Sequence, residues 1–94
     1  MRNLDREWWE IDRIINYNGY GYWVSHPTTI RKTTDGLKTS LTVYSYTEKF
    51  LNKVKEILIK DMENLKYKPY REHDSKTANL FKKKIYFRKK EVNK

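Results

Sequence analysis

The chain has 94 residues, no cysteine, and a formal net charge of +9 from 21 Lys/Arg against 12 Asp/Glu. That length makes a single domain over residues 1–94 that buries about 60–65% of its unfolded surface, so a partner subunit could complete the core. Disulfide frameworks and thiolate metal sites are excluded; with no bilayer-length apolar run and no signal-peptide core after the start, no membrane partner is expected, and the expected location is cytoplasmic, in the nucleoid or a viral host's cytoplasm.

Asn3 is placed to cap a helix beginning at Leu4, and Asp5, Glu7 and Glu10 suit its dipole. Leu4, Trp8, Ile11 and Ile15 give one apolar stripe at helical spacing, with Trp9 and Ile14 off it. The extra apolar surface either widens a single core face or packs on a second subunit. From Ile14 to Trp23 the chain reads as a helix end running into a strand through Gly19 and Gly21, residues free to take positive φ.

Tyr20 to Lys32 is expected to be extended, interrupted or bulged at Pro27. Thr33-Thr34-Asp35-Gly36 is a hairpin turn. Leu37 to Tyr46 alternates, with Leu37, Thr39, Leu41 and Val43 on one face and Lys38, Ser40, Thr42 and Tyr44 on the other.

Ser45 or Thr47 caps the next helix, and Ser45-x-x-Glu48 fits a capping box. Phe50, Leu51, Val54, Ile57, Leu58, Met62 and Leu65 recur at helical steps opposite a face of Lys and Glu. Lys66 to Glu72 reads as a short strand, near an edge because of Pro69, and His73 to Thr77 as the turn after it. Leu80 to Lys89 is the last strand, with Phe81, Lys83, Ile85 and Phe87 on one face and Lys82, Lys84, Tyr86 and Arg88 on the other. The tail from about Lys89 lacks a packing pattern and is expected to be flexible. The fold class is α+β, in the order α-β-β-α-β-β, with helices on one face of a four-stranded antiparallel sheet.

Charge is distributed unevenly. Residues 1–46 hold six Lys/Arg and five Asp/Glu, whereas residues 47–94 hold 15 and seven. Helices on one face leave the other face to water or a partner. Parity puts Lys38, Ser40, Thr42, Tyr44, Lys82, Lys84, Tyr86 and Arg88 there. Cations supply phosphate contacts, and hydroxyls and tyrosines can bond base edges or stack. An ordinary solvated face would mix charge signs, but Asn79 to Lys90 has six Lys/Arg and no acid. Nucleic acid, with duplex DNA favoured, is the expected partner.

The order of elements, with Asn18-Gly19-Tyr20-Gly21-Tyr22 at the first corner, resembles a LAGLIDADG homing endonuclease module. Lys32-Thr33-Thr34-Asp35-Gly36-Leu37 is similar to that family's hairpin and Ser40-Leu41-Thr42-Val43 to its second strand. Tyr46 to Leu58 resembles its middle helix, and the likeness covers about residues 10–88. In that family the signature helix ends in Asp-x-Asp-Gly; here Asn18 and Tyr20 stand where the acids would be. Two-metal cleavage needs carboxylate oxygens, so the resemblance implies the fold without the catalysis. Ile14 and Ile15 replace the family's small Ala-Gly pair, which implies wider or rearranged helix packing in a dimer. The family works as homodimers or fused modules, so the resemblance implies a homodimer for this half-size chain.

No other chemistry stands out. Asp5, Glu10 and Asp12 read as dipole partners of the first helix, and His26 and His73 lie far apart. Gly19-Tyr20-Gly21 lacks the Lys-Ser/Thr of a phosphate loop and precedes a strand. No catalytic residue, metal ligand or cofactor is assigned. The leading expectation is a non-catalytic DNA-binding protein. The alternatives are a metal-dependent endonuclease recruiting Asp12, or a viral or mobile-element protein, such as an inhibitor, that docks on a host nucleoprotein complex.

Overall fold

The computed structural model describes residues 4–14, 18–19, 22–25 and 30–90. Helix α1 (Leu4–Ile14) is followed by strands β1 (Asn18–Gly19), β2 (Tyr22–Ser25), β3 (Ile30–Thr33) and β4 (Gly36–Ser45). Helix α2 (Glu48–Asn64) then leads into β5 (Lys68–Thr77) and β6 (Leu80–Lys90). The class is α+β, and every strand pairing is antiparallel. The sheet runs β1-β2-β4-β6-β5, with β3 also paired to β4.

Among the described residues six strand segments replace the expected four, for two reasons. The first long strand is split: β2 and β3 lie end to end along β4, with Ser25 opposite Thr42 and Ile30 opposite Thr39. Five steps on one strand thus face three on the other, and the interval, which includes Pro27 and His26, lies outside the described residues. The second reason is β1, where Asn18 pairs with Trp23 and Gly19 with Tyr22. The corner is thus flanked by paired residues, Gly19 before it and Tyr22 after it, while residues 15–17, Tyr20 and Gly21 lie outside the described residues. Asn3 lies outside them too.

The core lies between the helices and the odd-numbered face of β4 and β6. Leu37, Leu41, Val43, Ile85 and Phe87 from the sheet meet Leu51, Val54, Leu58 and Met62 of α2 and Ile11 of α1. Each such side chain contributes about 1.5–3 kcal/mol by leaving water. On the expected stripe of α1 Ile11 is fully enclosed and Trp8 is 37% exposed, while Trp9, off the stripe, is 66% exposed.

Thr47, not Ser45, caps α2. Its Oγ1 accepts from the Phe50 N–H at 3.3 Å, while Ser45 Oγ accepts from the Thr47 N–H at 3.2 Å. The expected capping box from Ser45 to Glu48 is thus displaced, because buried Ser45 is still the last residue of β4. Helix α2 ends in a Schellman arrangement. The Lys66 N–H donates to Glu63 C=O (2.9 Å) and the Tyr67 N–H to Met62 C=O (3.0 Å). Buried Tyr67 and Met62 supply its hydrophobic contact.

The largest departure from expectation is β5. The segment His73 to Thr77 is strand, and the turn is Ala78-Asn79, between paired Thr77 and Leu80. Local propensity marks His-Asp-Ser-Lys-Thr as a turn, but pairing along nearly the whole of β6 overrides it. Strand β5 is the sheet edge, as Pro69 requires. Its ladder slips once: Pro69 opposes Phe87 and Arg71 opposes Tyr86, leaving Tyr70 as the extra residue of a β-bulge.

Candidate functional site

The helix-free face is assembled from paired side chains. In the β4–β6 register Lys38 lies opposite Arg88, Ser40 opposite Tyr86, Thr42 opposite Lys84 and Tyr44 opposite Lys82. Directly opposed residues share a face, so all eight residues expected from parity come together on one surface. The half-buried, non-core pattern of the even positions in β4 agrees with this placement.

Sequence parity alone misses the outer parts of this surface. Arg31 enters from β3, opposite Lys38, and Trp23 from β2, opposite Tyr44. Arg71, His73 and Ser75 enter from β5, opposite Tyr86, Lys84 and Lys82. The bulge adds Tyr70, because the extra residue lets two consecutive side chains reach one face. The Tyr70 ring lies 6.2 Å from Tyr86, and the Arg71 guanidinium stands over Tyr86 at 5.4 Å. In sequence, Pro69 beside an aromatic in an edge strand is the one local hint of that irregularity.

Cations cover these rings. Lys38 and Arg88 lie over Tyr70 at 5.4 and 5.8 Å, Lys84 over Tyr86 at 5.2 Å, and Lys82 over Tyr44 at 5.9 Å. Trp23 stacks on Tyr44 with ring centroids 5.2 Å apart. Each cation–ring contact is worth about 0.5–1 kcal/mol at an exposed site, a modest bias that keeps these cations beside the rings.

The acids are segregated. Among the described strand residues the carboxylates are Glu72 and Asp74, and both lie on the helix side of β5. There they flank Lys83, whose Nζ lies 2.7 Å from Asp74 Oδ1 and 3.2 Å from Glu72 Oε1. Lys55 of α2 closes the cluster at 3.0 Å from Glu72 Oε2. Burial disfavours the charged forms of Lys83 and Glu72. For Lys83 the bonds to Asp74 and Glu72 outweigh burial and raise its pKa above the ordinary lysine value. For Glu72 the bonds from Lys55 and Lys83 do so and lower its pKa. Asp35, in the β3–β4 turn at the rim of the open face, accepts from Thr33 Oγ1 at 3.1 Å. That bond, its own backbone N–H and nearby Lys38 and Arg88 hold its carboxyl below the ordinary carboxylate range.

The bulge creates this separation. An unbroken alternation from Lys68 would carry Tyr70, Glu72 and Asp74 onto the open face together. The extra residue reverses parity after Pro69, so Arg71 and His73 face outward and the two acids turn toward Lys83. Among the described strand residues, every charged side chain on the open face is therefore Lys or Arg. Among the described residues no three His, Asp or Glu side chains gather as metal ligands, and no helix is long and apolar enough to cross a membrane. Of the signature-corner positions, Tyr20 lies outside the described residues. Comparison with protein-family models, curated proteins and solved structures finds no match to this chain.

Proposed function

We propose that this chain is a non-catalytic DNA-binding protein that lays its open sheet face on duplex DNA, as a homodimer built on a LAGLIDADG-like fold. The observation that carries the reading is a face on which, among the described strand residues, no acid stands and lysines, arginines, hydroxyls and tyrosines alternate over β4, β6 and β5. Such a face binds phosphates through charge and places flat polar side chains where base edges pass. A curved antiparallel sheet fits the major groove. A homodimer is supported by the apolar surface of α1, with Trp9 66% exposed. A cytoplasmic location, where duplex DNA is at hand, goes with this reading.

An endonuclease reading would need acids at the DNA surface, whereas Glu72 and Asp74 are bound to Lys83 on the opposite side. Cleavage of duplex DNA with Mg²⁺ that is lost in Asp12→Ala would nevertheless replace the non-catalytic reading. Capture of a nucleoprotein complex that survives nuclease treatment would instead assign the face to a host assembly.

Salt-dependent binding tests the proposal directly. Affinity of the wild type should fall linearly in log–log plots against salt. Removing Lys82, Lys84 and Arg88 together should weaken binding to any sequence and lower the slope by up to about one unit per lost contact. Unchanged affinity in that triple variant would remove the sheet face from the function.

A further inference from the structure

A hollow of about 250 Å³ interrupts the open face, walled by Arg31, Lys38, Ser40, Tyr70, Lys84 and Tyr86. The phosphates of a paired duplex run along a convex backbone and need no hollow beneath them. Three cations, a hydroxyl and two aromatic rings around one concavity suit a group that protrudes, carries a flat π surface and brings its own phosphate. An unpaired nucleotide has all three properties.

The rings determine how it would sit. Tyr70 and Tyr86 lie 6.2 Å apart and are tilted by 50°, too close and too oblique for a base to slide between them. Tyr70 is 43% exposed and is the platform, with Lys38 and Arg88 over its ring at 5.4 and 5.8 Å as the cations that a stacking base displaces, and Tyr86 forms the wall behind it. Tyr70 owes its place to the bulge: it has no partner in the β5–β6 register and stands as an added side chain on this face. Lys38, 5.4 Å from that ring, links the platform to the cationic rim.

We propose that the hollow receives one unpaired nucleotide of the bound DNA, its base stacked on Tyr70 and its phosphate held by Arg31, Lys38 and Lys84. The inference rests on the nucleic-acid reading above and adds to it a preference for duplexes with a base out of the stack.

Two short duplexes test it, one fully paired and one with a single extra 2-aminopurine nucleotide. The wild type should bind the second about tenfold more tightly and quench its fluorescence through stacking. Tyr70→Phe should retain both effects. Tyr70→Ala should lose both, so that its affinities for the two duplexes become equal. Equal affinity of the wild type for the two duplexes overturns the inference, as does a preference that survives in Tyr70→Ala. Salt-dependent binding without a preference defeats this inference alone. Absence of salt-dependent binding to either duplex defeats the nucleic-acid reading with it.

Discussion

Lys66 ends α2 at φ 73°, a left-handed conformation that costs a residue with a Cβ about 1–2 kcal/mol. Glycine takes that conformation freely and is the usual residue at this position of a Schellman cap. Lys66→Gly should therefore stabilise the fold by about 1 kcal/mol, read as a higher urea midpoint at unchanged slope. A lower midpoint would mean that the Lys66 side chain contributes more than its backbone costs. Ala78, at φ 51° in the β5–β6 turn, presents the same situation in a hairpin. Tyr70 is the opposite case: its backbone irregularity is retained, and what it gains is a side chain on the open face.

At the scale of elements, the cluster of Lys83, Glu72, Asp74 and Lys55 attaches the edge strand β5 to β6 and α2. Lys83 is nearly enclosed, whereas its carboxylate partners remain partly hydrated. Neutralising both partners strands a buried ammonium. The double variant Glu72→Gln, Asp74→Asn should thus lose about 1–3 kcal/mol, the lower part of the range for broken buried pairs because solvent screens the carboxylates. Lys83→Met should cost less, since it removes the charge that needs partners. Equal losses in the two would show that packing, not charge, fixes β5. The pH dependence follows from the directions of the shifts. Glu72 is held below its ordinary value of 4.5, so its contribution is complete above that pH and is lost as pH falls through the folded value. Lys83 is held above 10.5, so its contribution is complete below that pH and is lost as pH rises through the folded value. Chemical denaturation across pH should show a plateau between these limits; in the double variant the acid-side loss should disappear and the alkaline side should reverse, because burial alone then lowers the Lys83 pKa and deprotonation relieves the stranded charge.

For the whole molecule, charge separation between two sheet faces matters more than the net +9. In the proposed reading a duplex would meet the basic side, while the strand carboxylates Glu72 and Asp74 pair with Lys83 on the other. The longest dimension, 47 Å, covers about 14 base pairs at about 3.4 Å each. Duplexes shorter than that should lose affinity as phosphates are removed, in a length series at fixed salt. Affinity independent of length down to a few base pairs would shrink the interface to a single spot. If α1 forms the subunit contact, Trp9→Arg should halve the mass measured by light scattering. A wild type that runs as one copy removes the homodimer, and a dimer unaffected by the substitution moves the contact elsewhere.

The sequence by itself determined the elements with strong apolar periodicity. Alternation in β4 and β6 sets which side chains meet the core, and that one constraint delivers Lys38, Ser40, Thr42, Tyr44, Lys82, Lys84, Tyr86 and Arg88 to the other face. The seventeen-residue α2 was equally legible, because its buried positions recur at helical spacing. Strand β5 carries no such signal. Its residues are mostly exposed and polar on both faces, so neither its length nor its parity can be read locally. Only the tertiary structure decided where β5 slips against β6, and with it that Tyr70 and Arg71 join the open face while Glu72 and Asp74 leave it. The physical reason is that a bulge is set by the match between the two arms of a hairpin and not by the residues of either arm alone: a buried lysine on β6 requires carboxylates, and one extra residue in β5 turns them toward it.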